Sequence, residues 1–412
     1  MTQPCGSQYT FFATAARGTE AFASEEARAL GAEIVDVLPG GVSVRGPLEL
    51  GYRLCLWSRV AQRVLLPIAH FQAATAEELY EAIRGLPWEE HLEVDTPFEV
   101  ECTRAAESAI AHSHYAALKT KDAIADRFRS RMGRRPSVRR SGRRLTIHLY
   151  LKGSEGSVSI DLSGEPLYKR GYRQHSGTAP LKETLAAALL YAASWPEYAA
   201  QGDPLVDPFC GSGTIAIEAA TMALRIAPGL LRSHFGFLAW RQHDPQTWHA
   251  LRAEARSQAL PANGLPPLIY ASDCSANVLH QAHDAAKRAG VLPAIRFGQA
   301  DARGLQPPPQ SRPGLVLTNP PYGHRSAADA IEELYAQFGD TLRHNFLGWT
   351  AFVFTGNLSA ARRIGLRPTQ RLPFWNGPIE CRLLCFPIAS TSVRGSGPRW
   401  RQHARKAATP KG

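Results

Sequence analysis

The chain has 412 residues, too many for one compact core, so two or three domains are expected. Its 44% hydrophobic and 20% charged content is that of a folded soluble protein. The best apolar run, Leu185–Trp195, is too short to span a membrane. The net charge of +11 excludes nothing about the fold but favours a polyanionic partner.

The first third reads as α+β. "YTFFATAA" and "GVSVRG" have strand character, and "TEAFASEEARALG" between them has helical spacing with Gly31 as its stop. "CLWSRVAQRVLLPIAHF" reads as a helix running into a strand. "TAEELYEAIRGLPW" has a Thr start, acids in the first turn and a Gly end, which predicts a helix. "PFEVECTR" alternates as a strand, "YAALKTKDAIADRFRSRMG" is a long amphipathic helix, and "RRLTIHLYLKG" with "GSVSIDLSG" reads as two strands joined by a turn. From Lys119 to Lys152 twelve Lys and Arg residues face two acids, Asp122 and Asp126. So one-sided a field suits nucleic acid.

"SGEPLYKRGYRQHSGT" is polar and rich in glycine, and serves as a junction. Beyond it strands and helices alternate: "PLVD" then "TIAIEAATMAL", "LIYASD" then "NVLHQAHDAAKRAG", then "AIRFGQAD", "GLVLTN" and "AFVFTG". Such alternation predicts a doubly wound parallel sheet. Residues 225–267 interrupt it as an insertion of added helices carrying Trp240 and Trp248, for which core packing is expected. After Pro387 six basic residues and no acid form a tail with no apolar period, expected to be disordered. The expected division is 1–55, 56–163, a linker at 164–178, a catalytic domain at 179–389 and the tail at 390–412.

Two constellations carry chemistry. "LVDPFCGSGTIAIEAA" is a strand, a glycine turn and a helix start. Gly211 and Gly213 let the backbone approach a ligand. "GSGTIA" also fits a relaxed dinucleotide fingerprint, yet the next strand-end acid, Asp273, lies 60 residues beyond Gly213 rather than about 20. An acid at the turn itself, Asp207, suits a cationic ligand better than a pyrophosphate. S-adenosylmethionine carries an ammonium and a sulfonium; its ribose would go to Asp273 and its adenine amine to Asp301. Each acid alone could be a loop cap; three at successive strand ends point to a cofactor.

The second constellation is "LTNPPYG", after the fourth strand of the alternating region. An amine on an aromatic base is a poor nucleophile because its lone pair is delocalised into the ring. The Asn319 side-chain oxygen and the Pro320 carbonyl can accept its two N–H bonds and favour a pyramidal nitrogen. Pro321 stiffens the turn and Tyr322 can stack on the base, so catalysis is by positioning. Asn-Pro alone would be a common turn. Cys210 reads as packing under the loop, not as a nucleophile. Cys381 with Cys385, or His112 with His114, lacks the further ligands of a metal site, so none is expected. Irregular cysteine spacing and an N-terminus without a basic-then-apolar segment lead to the expectation of a cytoplasmic protein with free thiols.

"LVDPFCGSGT" and "LTNPPYG" resemble the motifs shared by adenine-N6, guanine-N2 and glutamine-N5 methyltransferases. "TAARGTEAFASEEARALGAE", "LWSRVAQRVLLPI", "YAALKTKDAIADRF", "IDLSGEPLYKRGYR", "APLKETLAAALL", "RIAPGLLRSHFGFLAWRQHD" and "NGPIEC" narrow this. They are similar to the bacterial 23S rRNA guanine-N2-methyltransferases of the RlmL type, from about Phe11 to Pro387. The resemblance implies a ferredoxin-like piece, a THUMP RNA-binding domain and a class I, Rossmann-like methyltransferase domain. It implies S-adenosylmethionine as cofactor, and 23S rRNA or a large-subunit precursor particle as partner. It carries RNA contact to Lys119, Lys121 and Arg127 of the THUMP helix and to Arg170 and Arg173 of the linker. It carries the cofactor loop to Asp207, Phe209, Cys210, Gly211, Ser212, Gly213 and Thr214, the methionine end to Pro180 and Lys182, and catalysis to Asn319, Pro320, Pro321 and Tyr322. Adenine-N6 methylation, tRNA guanine-N2 methylation and a non-enzymatic RNA assembly factor are the competing readings. Many members of the family are fused to a second methyltransferase, whereas this sequence contains one catalytic domain.

Overall fold

The computed structural model describes residues 8–134, 144–173, 181–262, 268–322 and 328–389. The chain divides into two compact units. The first holds residues 1–15, 23–167 and 232–254, and the second holds 16–22, 168–231 and 255–412. Residues 135–143 of the basic stretch, Pro180 and the tail from 390 lie outside the described residues.

In chain order the first elements are β1 (Tyr9–Thr14), α1 (Glu20–Ala29), β2 (Glu33–Leu38), β3 (Gly41–Gly46), α2 (Leu48–Trp57), β4 (Arg63–Gln72), α3 (Ala76–Gly85), β5 (Phe98–Arg104), α4 (Ser113–Met132), β6 (Leu145–Lys152) and β7 (Glu155–Asp161). The strands form one sheet in the order β2-β3-β1-β4-β7-β6-β5. The predicted α3 is closed at its N-terminus by a capping box between Thr75 and Glu78. The long α4 buries Ala116, Ala123, Ile124 and Phe128 and stops at Gly133, whose φ of 67° only glycine adopts without cost. It crosses from β5 to β6, which pair in parallel. Two details differ from the sequence reading. "EIVDVL" is an additional strand, β2, and the helix before β4 starts at Leu48 and ends at Trp57 instead of running through Ser58–Gln62.

Residues 232–254 belong to this first unit, a placement the sequence pattern did not give. The Arg232 guanidinium donates to the carbonyls of Ser163, Glu165 and Pro166. The Tyr52 hydroxyl accepts the Asp244 N–H at 2.9 Å, and Trp248 packs edge-on against Tyr52 and Phe237. The Trp240 indole donates to His91 Nδ1 at 3.2 Å. Both tryptophans are buried, as expected for core packing.

The second unit contains α5 (Glu183–Ala192), α6 (Trp195–Ala200), β8 (Leu205–Asp207) and α7 (Thr214–Ala223). After α8 (Pro245–Gln258) come β9 (Ile269–Asp273), α9 (Ala276–Arg288), β10 (Ile295–Gln299), β11 (Leu315–Thr318), α10 (Ala328–Asn345), β12 (Thr350–Thr355), α11 (Leu358–Arg362), β13 (Gln370–Asn376) and β14 (Ile379–Pro387). Its sheet runs β10-β9-β8-β11-β12-β14-β13. The first five of these strands are parallel, as the alternation predicts. The β13–β14 hairpin adds two antiparallel strands outside the predicted alternation; Cys381 and Cys385, whose spacing suits one face of a strand, both lie in β14. One face is covered by α10, whose Tyr335, Phe338 and Leu342 pack with Val206, Val316 and Val353. Every residue of β8 and β11 is buried, the mark of central parallel strands.

Candidate active site

The chain order reverses between β8 and β11. β9 and β10 extend the sheet one way from β8, and β12 the other way from β11. Such a switch point opens a crevice at the carboxyl ends of the strands. Asp207 ends β8, Asp273 ends β9 and Thr318 ends β11, so both sequence constellations arrive there. The Thr318 hydroxyl donates to Asp207 Oδ1 at 2.7 Å and ties the catalytic strand to the glycine-loop strand.

Two carboxylates hold the loop 207–214. Asp207 Oδ1 also accepts the Phe209 N–H at 3.3 Å. Asp273 Oδ2 accepts the Gly211 N–H at 3.0 Å, and its Oδ1 accepts from Ser275 N–H. The Cys210 N–H bonds the Ser272 carbonyl, and the Gly213 N–H closes the turn on Cys210. Gly211 and Gly213 have φ of 51° and 79°. A Cβ on Gly211 would meet nothing, whereas one on Gly213 would lie 3.0 Å from the Ala282 Cβ. The first glycine therefore leaves open space over the loop, and the second lets α7 close onto α9. Ser212 is half-buried in the turn, two residues before α7. Phe209 lies edge-on to Phe338 and anchors the loop to the core. Burial pushes the Cys210 thiol well up, helped by Asp207 and Asp273, which keeps it a protonated packing group.

Asp207 Oδ2 is buried and has no hydrogen-bond partner among the described residues. Burial pushes this carboxyl up to about 7, against the Thr318 and Phe209 hydrogen bonds. A buried acceptor without a donor is costly unless a ligand supplies one. The ammonium of S-adenosylmethionine fits that requirement. Asp301 stands apart. Its carboxylate is half-exposed and engaged by the Arg303 guanidinium, with N–O distances of 2.5–2.9 Å, and no hydrogen bond among the described residues joins it to the glycine loop. The Lys182 ammonium sits 4.9 Å from the Tyr168 ring centroid, at the N-cap of α5.

The Asn-Pro-Pro-Tyr loop, 319–322, is held by hydrogen bonds from two sides. The Pro321 carbonyl accepts from the Tyr335 hydroxyl at 3.4 Å, and the Tyr322 carbonyl from Asn357 Nδ2 at 3.1 Å. Among the described residues no donor engages the Pro320 carbonyl. Tyr322 does not stand free for stacking. Its hydroxyl donates to Asn319 Oδ1 at 2.6 Å, its ring lies edge-on to Phe354, and burial pushes its hydroxyl far up. Any donor brought to Asn319 Oδ1 would compete with that hydroxyl.

The linker arginines require a correction. Arg170 is 2% exposed and paired at 3.4 Å with Glu218 of α7, which also accepts the Tyr172 hydroxyl at 3.1 Å. It is closed to RNA, because a carboxylate buried on an apolar helix must keep a cation beside it. Arg173 bonds the Thr214 hydroxyl and the Leu181 carbonyl and lies 3.5 Å from Glu183. Both arginines brace the glycine-loop helix from behind. The sequence did contain a signal, since Glu218 is a lone acid within "TIAIEAATMAL". Sequence reasoning also missed Tyr335, Asn357 and the tie made by Thr318. On α4, Lys119 lies 4.0 Å from Glu77 and Lys121 is half-buried. Arg127 is held bidentately by Glu89 and is the least available of the three.

Comparison with known proteins decides the family. The sequence profile of the RMKL-like methyltransferase domain matches residues 170–384, half of the chain. The chain belongs to the RMKL-like methyltransferase family. Profiles of the RlmL ferredoxin-like domain and the THUMP domain match 10–65 and 73–161. The ribosomal RNA large subunit methyltransferase K/L of Syntrophotalea carbinolica is 43% identical over 94% of this chain and 54% of its own length. The chain thus spans about half the length of the curated relatives it matches. The structure of SMU.472 complexed with SAH superposes with a TM-score of 0.83 at 30% identity, over 94% of this chain and all of that one. A predicted N6-adenine-specific DNA methylase from Listeria monocytogenes gives 0.81 at 32%, over 92% and 96%. This RMKL-like chain is a class I methyltransferase, and its cofactor is S-adenosylmethionine.

Proposed function

We propose that the chain methylates the exocyclic N2 amine of a guanosine in 23S rRNA, free or within a large-subunit precursor particle. One observation carries the proposal: Asn319, with its side-chain oxygen, and Pro320, whose carbonyl has no donor among the described residues, directly follow Thr318, which ties the end of β11 to Asp207 at the switch point. Two acceptors side by side suit a planar NH2 group. Asn319 Oδ1 and the Pro320 carbonyl each hold one amine proton, which turns the nitrogen lone pair toward the cofactor side. Asp207, Asp273 and the loop 211–214 would hold the cofactor, which supplies an electrophilic methyl group when bound. The buried contacts of Tyr335 and Asn357 keep the loop from drifting as the acceptor enters. No side-chain nucleophile is required.

Guanosine and rRNA are supported by the resemblance along the chain, by relatives named for the large ribosomal subunit, and by the THUMP match over the basic α4. Adenine-N6 methylation is the second reading. It is favoured by the description of the Listeria protein as an N6-adenine-specific DNA methylase, and the two acceptors would suit any planar amine. Transfer of labelled methyl to rRNA from a strain lacking this gene, followed by nucleoside analysis, separates them. N2-methylguanosine is expected, and N6-methyladenosine would replace the reading. Lys119→Ala with Lys121→Ala should lower the RNA salt slope by roughly 1 for each phosphate no longer neutralised. An unchanged slope would move RNA recognition off α4.

A further inference from the structure

The β13 edge of the second unit carries a groove that the proposed chemistry does not use. It encloses about 350 Å³ and is lined by Arg362, Arg367, Arg371 and Arg382 over a floor that includes Leu384 and Phe386. That volume is in the range of small-ligand clefts. Arg382 is paired with Glu380 at 2.6 Å, and neighbouring Arg363 lies 3.8 Å from Glu332. Among the described residues no carboxylate pairs with Arg362, Arg367 or Arg371, and all three are exposed. Three exposed guanidinium groups that line one groove with an apolar floor, without a carboxylate partner among the described residues, suit an anion.

The groove is joined to the catalytic loop. Asn357 donates to the Tyr322 carbonyl at 3.1 Å, and its side-chain oxygen caps α11 by accepting the Ala360 N–H at 3.0 Å. Leu358, Ala361 and Arg362 of α11 form one wall. Strand alternation separates the two faces of the hairpin. Phe374 and Cys381 lie on the Tyr322 face, while Arg371, Arg382 and Leu384 lie on the groove face. On that second face Arg17 also stacks on Trp375, 4.1 Å from the ring centroid.

We propose that this groove binds the phosphodiester backbone of the RNA strand flanking the target nucleotide, as a second RNA site on the catalytic unit. This rests on the reading of an RNA substrate. Arginine forks match phosphate oxygens in pairs, and the apolar floor accommodates ribose and base edges. The groove holds the flanking strand while the target base is turned out of its stack.

The test compares the wild-type chain with the triple variant Arg362→Gln, Arg367→Gln, Arg371→Gln. The probe is a short single-stranded RNA with one guanosine, titrated by fluorescence anisotropy over a salt series. Removing three guanidinium–phosphate pairs lowers the slope by about 2, at roughly 0.7 per pair on a single strand. Cofactor affinity, measured by calorimetry, is expected within twofold of wild type. Should the triple variant lose cofactor binding through misfolding, Arg367→Gln alone is read for a slope change of about 0.7. An unchanged slope with intact cofactor binding overturns the proposal. So does arginine-dependent binding of poly-glutamate with unaltered RNA binding, which would assign the groove to an acidic protein. If the Lys119, Lys121 variant has a reduced slope and the triple variant does not, the RNA reading stands and only the groove falls. If the wild type shows no salt-dependent RNA binding, both fall.

Discussion

The hydrogen bond from Tyr322 to Asn319 makes the two halves of the catalytic motif compete. In the proposed reaction the acceptor offered to the amine is already filled by the motif's own tyrosine. Tyr322→Phe keeps the ring and empties the acceptor, so the methylation rate is expected within about fivefold of wild type, with KM for RNA unchanged or lower. A neutral hydrogen bond contributes about 1 kcal/mol, which sets that scale. A hundredfold loss would instead show that the hydroxyl acts on the substrate. Asn319→Ala should lower the single-turnover rate by about 10²–10³, the usual consequence of deleting a catalytic hydrogen-bonding group. Its cofactor affinity should stay near wild type, because no bond among the described residues joins Asn319 to the glycine loop. Near wild-type turnover would remove Asn319 from the mechanism. The motif residues were legible in the sequence because their types are set by chemistry. The Tyr322 bond was not, since it depends on which rotamer Phe354, Cys381 and the backbone leave open.

At the scale of elements, the strand–turn–helix unit around β8 and α7 is local in sequence, and its outline followed from spacing alone. Its tightness comes from elsewhere. Gly213 closes α7 onto α9 at a positive φ, with Ala282 on the far side. Gly213→Ala meets a left-handed backbone cost of about 1–2 kcal/mol and a crowded contact together. Calorimetry should give a cofactor Kd raised about tenfold, with a lower Tm; a wild-type Kd would mean the loop relaxes freely. The segment 170–173 illustrates the opposite case. Its arginines resemble a surface linker in sequence, but Glu218, 48 residues beyond Arg170, draws that arginine inside. The hairpin β13–β14 fell outside the predicted alternation because its pairing is with β12, not with a neighbouring βα unit.

Across the whole molecule the two units respond to pH in different ways. In the second, burial pushes Glu183 and Asp207 up to about 7, from an ordinary value near 4. Each therefore contributes stability that is complete below about pH 4 and lost as pH rises through 7. In the first unit, burial holds His148 down at about 4 and lowers His91. Their contribution is complete above about 6.5 and lost as pH falls, opposing Asp161, which burial raises to about 6. Raising pH from 6 to 8 should therefore reduce amide-exchange protection, corrected for intrinsic rates, in β8 and α7 more than in β6 and β7. The reverse order would refute these assignments. Over the same range cofactor binding should tighten by up to about tenfold, since an ammonium needs Asp207 ionised. A pH-independent Kd would separate Asp207 from the ammonium.

The sequence by itself determined the class of the fold and the family, and it placed the glycine turn and the Asn-Pro-Pro-Tyr motif at the ends of strands. These rest on residue types and short spacings, where local geometry and chemistry leave few alternatives. Tertiary structure alone decided that residues 232–254 complete the first unit, that Arg170 faces inward, and that three arginines on α11, β13 and the turn between them share one groove. A charge or an aromatic ring reads alike in sequence whether it meets water or a distant partner. Only the folded chain supplies the partner, and with it the balance between desolvation and pairing that fixes where the side chain goes.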